Sequence, residues 1–73
     1  MTIEMTDDDI MMIYINEGQV ARTKQRPPSI NIDLDAEGRV LEIEILGVSE
    51  TKPSELMAVI TEVLQMPRNG VSH

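Results

Sequence analysis

The chain has no cysteine, no tryptophan and no phenylalanine, one tyrosine and one histidine. The missing thiols exclude disulfides and thiolate zinc sites. The lone histidine, His73, is the last residue. Terminal residues are usually loose, and positioned acid–base chemistry most often uses a histidine. No catalytic residue is therefore expected, and no cofactor. A core whose one ring is Tyr14 must close with Ile, Val, Leu and six Met; Met adapts to irregular gaps in cores and at pliable interfaces alike. Basic residues are also scarce: six Lys and Arg oppose thirteen Asp and Glu, for a net charge of −7. That balance repels nucleic-acid phosphates and disfavours anionic membranes. It suits solubility, or a basic partner drawn in by the field. No apolar run approaches the roughly 20 residues of a membrane span. The start, Met1 to Asp9, lacks the basic and apolar segments of a signal peptide. A cytoplasmic protein is expected.

Seventy-three residues make one domain, read as residues 1–67 with a flexible tail over 68–73. A chain of about this size hides only about 60% of its unfolded surface. Such small cores usually need a disulfide, a metal or a second subunit. With disulfides excluded and carboxylates the main metal donors present, self-association is the support that remains. A homodimer or higher homo-oligomer is expected.

What the sequence does contain is alternation. Ile3 and Met5 alternate with polar neighbours, as a short strand would. Thr6 to Asp9 is a polar break suited to a turn. Ile10 to Ile15 is an Ile-rich run too short for a typical helix, so it reads as a strand. Asn16-Glu17-Gly18 fits a hairpin loop with Gly left-handed, leading to a weakly patterned strand over Val20 to Lys24. Pro27 and Pro28 require a loop. Ile30, Ile32 and Leu34 then share one strand face, with Asn31 and Asp33 opposite. Leu41, Ile43 and Ile45 share another, with Glu42 and Glu44 opposite. Asp35-Ala36-Glu37-Gly38 links them as a type I turn followed by a left-handed Gly. One face is apolar and the other acidic, as in an antiparallel sheet covered on one side.

Pro53 suits the first turn of a helix. Leu56, Val59, Ile60, Val63 and Leu64 follow at i, i+3, i+4, i+7, i+8 spacing, with Met57 widening the stripe. Pro67 and Asn69-Gly70 end it. The fold expected is α+β: an antiparallel meander of four or five strands with one C-terminal helix packed on one face.

Candidate chemistry is sparse. Asp7-Asp8-Asp9 clusters carboxylates but lacks the glycine and spaced ligands of a calcium loop; it reads as a solvated turn, and no metal site is assigned. The serines lie in loops, at a helix start or in the tail, outside any nucleophile pattern. Four scattered glycines make no phosphate loop. Arg22, Lys24 and Arg26 cluster without stacking aromatics, so cross-strand pairing with acids such as Asp33 or Glu42 is the expected use. The candidate interaction face is the side of the sheet away from the helix. There Met12, Tyr14, Val40 and Leu46 would form a modest apolar patch beside Glu42 and Glu44.

The run Asp9-Ile10-Met11-Met12-Ile13-Tyr14-Ile15-Asn16-Glu17-Gly18-Gln19-Val20, followed by Ile32-Asp33-Leu34-Asp35-Ala36-Glu37-Gly38-Arg39-Val40-Leu41-Glu42-Ile43-Glu44-Ile45-Leu46, resembles the bacterial domain-of-unknown-function family 2283. The likeness covers residues 3–49. It departs from the family pattern at Met12, where a Tyr is usual, at Glu4-Met5, where a Tyr-Asp pair falls, and at Glu42, where a Gly precedes Ile-Glu-Ile-Leu. The resemblance implies a small protein without an assigned activity. Some relatives are encoded beside small toxin-like proteins, which implies an antitoxin-like alternative: an acidic neutraliser of a small basic partner protein.

Overall fold

The computed structural model describes residues 1–27 and 29–66. Expectations for Pro28, for the helix stop at Pro67 and Asn69-Gly70, for the tail 68–73 and for His73 lie outside the described residues. Five strands form one sheet: β1 (Thr2–Met5), β2 (Ile10–Tyr14), β3 (Arg22–Arg26), β4 (Ile30–Leu34) and β5 (Val40–Leu46). A short 3-10 turn over Val48–Glu50 leads to helix α1 (Pro53–Leu64). The α+β class and the antiparallel sheet with one helix are as the alternation predicts.

The strand order is β1-β2-β5-β4-β3, with every neighbour antiparallel. Strands β3, β4 and β5 make a meander, but β5 returns to lie between β4 and β2. The hairpin expected around Asn16-Glu17-Gly18 is therefore absent: β2 and β3 are not neighbours. The segment after β2 instead closes onto β5. Ile15 and Asn16 donate their N–H groups to the Leu41 carbonyl at 2.8 and 3.3 Å, and Asn16 Nδ2 donates to the Val40 carbonyl at 2.8 Å. The next strand also starts two residues later than its composition suggests, at Arg22, and Val20 is exposed. Nothing apolar in Arg-Thr-Lys-Gln-Arg marks that boundary. Pairing with β4 defines it instead.

The firmest local expectation is the β4–β5 hairpin, and it forms. Gly38 takes a φ of 85°, a left-handed value that a Cβ penalises. Asp35 organises the turn. Its Oδ1 accepts from the N–H groups of Glu37 and Arg39, each at 2.9 Å, and its Oδ2 accepts from Arg39 Nε at 2.7 Å.

The core lies between β4, β5 and the helix. Ile30, Ile32, Leu34, Val40, Ile43, Ile45 and Val59 are buried together, with Ile32 fully inaccessible. Met11, Ile13, Leu56 and Val63 pack against that cluster. The pairing slips by one residue beyond Asp33: Asp33 faces Glu42, but Leu34 faces Val40. This bulge gives two β5 residues to one on β4. Val40 thereby takes the inward place that strict alternation assigns to Leu41. Leu41 is buried outside the cluster, and its Cδ2 closes to 3.1 Å of where a Gly18 side chain would begin.

The helix covers only part of the sheet. Five strands at about 4.8 Å spacing span roughly 19 Å between the outer two; a helix with its side chains is about 10 Å wide. One side must stay bare. Glu62 selects it: Lys24 Nζ lies 2.9 Å from one carboxylate oxygen, and Arg26 pairs with the other. These contacts draw α1 toward β3 and away from β1.

Candidate interaction faces

The two sheet faces follow from the register. On the side away from the helix lie Thr2 and Glu4 of β1, Ile10, Met12 and Tyr14 of β2, Glu42, Glu44 and Leu46 of β5, Asn31 and Asp33 of β4, and Thr23 and Gln25 of β3. Met12 faces Glu44, and Tyr14 faces Glu42. Met12, Tyr14, Glu42 and Glu44 are half-buried, and Leu46 is exposed at the strand end. Val40, expected beside them, is 4% exposed and part of the core. The bulge removes it from this face, and the sequence carries no mark of a bulge beyond the two adjacent apolar residues Val40 and Leu41.

Four carboxylates, Glu4, Asp33, Glu42 and Glu44, therefore share one surface. Asp33 accepts from Thr23 Oγ1 at 2.7 Å and Glu44 from Asn31 Nδ2 at 3.1 Å. Desolvation pushes the Glu42 carboxyl above its ordinary range, and the charges of Asp33, Glu44 and Glu4 add to it. Tyr14 is raised in the same way, by desolvation and then by Glu4 and Glu42. The expected pairing of Arg22 and Lys24 with these acids does not occur. Arg22, Lys24 and Arg26 stand opposite Leu34, Ile32 and Ile30, on the helix side, and Lys24 and Arg26 engage Glu62. Beyond Tyr14 and Glu42, an open cleft of about 680 Å³ runs past Asn16, Gly18, Val20 and Leu41. Its polar side chains are the Thr2 hydroxyl, the Tyr14 phenol, the Asn16 amide and the Glu17 and Glu42 carboxylates.

Asp7-Asp8-Asp9 does form the turn between β1 and β2, but it is not a uniform solvated cluster. Asp9 has a φ of 63°. Its carboxylate accepts from Ser49 Oγ at 2.6 Å and from the Ser49 N–H at 3.1 Å, and its carbonyl accepts from the Val48 N–H at 3.0 Å. Asp9 thus latches the first turn to the segment entering α1. Among the described residues, no three His, Asp or Glu side chains are gathered as a metal site would require.

The helix side holds what the sequence pattern misassigned. Ile3 and Met5 pair with Ile13 and Met11 and so face the helix side. Yet they are 55% and 57% exposed, because α1 does not reach β1. On the helix, Ile60 and Leu64 were expected against the sheet but are 44% and 57% exposed, and Met57 is exposed with them. At 100° per residue, Ile60 lies about 160° around the helix from Glu62. Since Glu62 faces β3, Ile60 faces the β1 side. The outcome is an apolar shelf: β1 forms its floor, the flank of α1 its wall, and among the described residues neither is covered. The signal for it was present in the width of the sheet, about twice that of the one helix laid along it.

The chain is a small open α+β sheet with one acidic face and one half-covered apolar face. Residues 6–49 match the family described as Protein of unknown function (DUF2283). The match spans more than half of the chain, and the chain belongs to that family. No curated protein and no solved structure matches it. No helix among the described residues is long and apolar enough to cross a membrane.

Proposed function

We propose that this chain is a non-enzymatic interaction module that self-associates through its helix-side shelf. The observation that carries this reading is the uncovered row of Ile3, Met5, Ile60 and Leu64 beside the core. Contiguous exposed apolar surface is rare on monomers and marks contact surfaces. A thin core without disulfides gains stability from burying that surface in a partner. A second copy supplies a matching apolar surface without any further molecule. Sedimentation or light scattering at micromolar concentration tests it: a dimer or larger oligomer is expected, and a strictly monomeric species overturns it.

The acidic sheet face supports a second reading, an antitoxin-like neutraliser of a small basic protein. Glu42 is raised first by desolvation and then by the charges of Asp33, Glu44 and Glu4; a cationic partner would offset those charges, and the net charge of −7 would steer it in. Co-purification with a small basic protein encoded beside it, released by salt and weakened by Glu42→Gln, is the expected result. Failure to retain any such neighbour overturns it.

A further inference from the structure

Among the described residues the sheet has two free edges, β1 and β3, and they differ in a way that singles out one of them. The β3 edge carries Arg22, Lys24 and Arg26, the charged guard that keeps an edge from pairing. The β1 edge, Thr-Ile-Glu-Met, has one charge, no proline and no lysine. It also borders the exposed shelf. We propose that β1 pairs antiparallel with β1 of a second copy, on a two-fold axis at Ile3, joining two five-stranded sheets into one. This rests on the self-association reading and specifies its geometry.

The backbone permits it. Thr6, which follows β1, donates its N–H to the Ile10 carbonyl at 2.9 Å. Antiparallel ladders alternate bonded and unbonded pairs. Continuing along the register, Glu4 and Thr2 bond to β2, while Ile3 and Met5 turn their N–H and C=O groups outward. The outward groups belong to the two residues whose side chains lie on the shelf.

Symmetry then narrows the register. A two-fold axis between antiparallel edge strands stands normal to the sheet, so both helices lie on the same side. Residues directly opposite each other point to the same face, so Ile3 must meet Ile3 or Met5 of the other copy. If Ile3 met Met5, the two Glu4 carboxylates would stand opposite each other. If Ile3 meets Ile3, each Glu4 stands opposite a Thr2 hydroxyl, and the like charges are separated. The charge pattern selects the second arrangement. It also makes the two shelves continuous: Ile3 and Met5 of both copies form one floor, and Ile60 of each helix flanks it. Pairing β1 with β3 of another copy would instead set Ile3 and Met5 beside the Arg and Lys row. It would also build an open chain rather than a closed dimer.

Because the chain has no cysteine, single-cysteine variants read the axis directly. Opposed residues in a bonded pair lie about 5.5 Å apart between Cα atoms, within disulfide reach. Ile3→Cys is expected to oxidise to a covalent dimer. Met5→Cys is not, since its two copies would be about 13 Å apart along the strands. Ile3→Pro removes an outward N–H without touching the bonds to β2; it is expected to give a folded monomer by circular dichroism and sedimentation. Crosslinking through Glu4→Cys in place of Ile3→Cys overturns the register. A wild-type dimer that survives in folded Ile3→Pro and in Ile3→Lys overturns the edge while leaving self-association intact. A monomeric wild type overturns both. Should Ile3→Pro fail to fold, absence of the Ile3→Cys crosslink in a dimeric protein is the overturning result.

Discussion

Ile32 and Ile60 are the same residue type on expected apolar faces, and the structure gives them opposite fates. Ile32 is fully enclosed by the sheet and helix, whereas Ile60 is 44% exposed. Truncating a buried Ile to Ala removes transfer energy and leaves a cavity, a loss of about 2–5 kcal/mol. Ile32→Ala should therefore remove much of the stability of so small a domain. Ile60→Ala should shift the unfolding of the isolated protomer by about 0.5 kcal/mol or less. Denaturant titration at low protein concentration checks the pair, and equal losses would contradict the placement of α1. Two carboxylates provide a second contrast. The Asp35 carboxyl is held below its ordinary 3.8, first by the hydrogen bond from Arg39; its stabilisation is present above that value and is lost as pH falls through the lowered one. Glu42 is raised above its ordinary 4.5 by desolvation and neighbouring acids. The folded state holds its proton more tightly, so its contribution is complete below 4.5 and is lost as pH rises through the raised value. Glu42→Gln should accordingly melt higher than wild type at neutral pH, with the difference fading as pH falls below about 4.5. A gain that is the same at every pH would show that packing rather than charge produces it.

At the scale of elements, the hairpin between β4 and β5 was legible because three independent signals agree there: alternation on both strands, an Asp at the turn's first position, and a Gly at its left-handed position. Gly38→Val tests the last of these. With φ at 85°, a β-branched side chain should strain the turn by about 1–3 kcal/mol, visible as a lower denaturant midpoint. The neighbour of β2 was not legible. Glycine after an apolar run suggests a hairpin, but insertion of β5 depends on which strands bury the most surface together, and that is decided by long-range pairing. The β5 bulge was hidden for a related reason, since two adjacent apolar residues satisfy either alternation. The helix itself was read correctly from its spacing, but its docking angle was not, because Glu62 decides it through Lys24 and Arg26. Those cations are partly solvent-exposed, so their pairing with Glu62 is worth about 1 kcal/mol or less and should weaken with salt. Glu62→Gln should lower stability by about that amount at low ionic strength and by less at high salt. An effect indifferent to salt would mean that packing of Val59 and Leu56 alone fixes the helix.

At the scale of the molecule, the sheet is about twice as wide as a single helix, and the mismatch leaves β1 uncovered by the described residues. The sequence announced the apolar rows but not their coverage, because alternation tells which residues share a face and not how far one helix extends over it. The expected contact patch around Met12 and Tyr14 is mostly flanked by acids, while the larger uncovered apolar surface lies on the opposite side. If that surface is closed by a second copy, folding and association are one equilibrium, and stability must depend on protomer concentration. Each tenfold rise in concentration adds about 1.4 kcal/mol in favour of the dimer. The thermal midpoint should therefore climb steadily with concentration for the wild-type chain. In Ile3→Pro it should become independent of concentration, settling at or below the lowest wild-type value. A wild-type midpoint that stays constant as concentration is varied a hundredfold would mean that the domain is stable with its shelf in water, and that Ile3, Met5, Ile60 and Leu64 serve some partner other than itself.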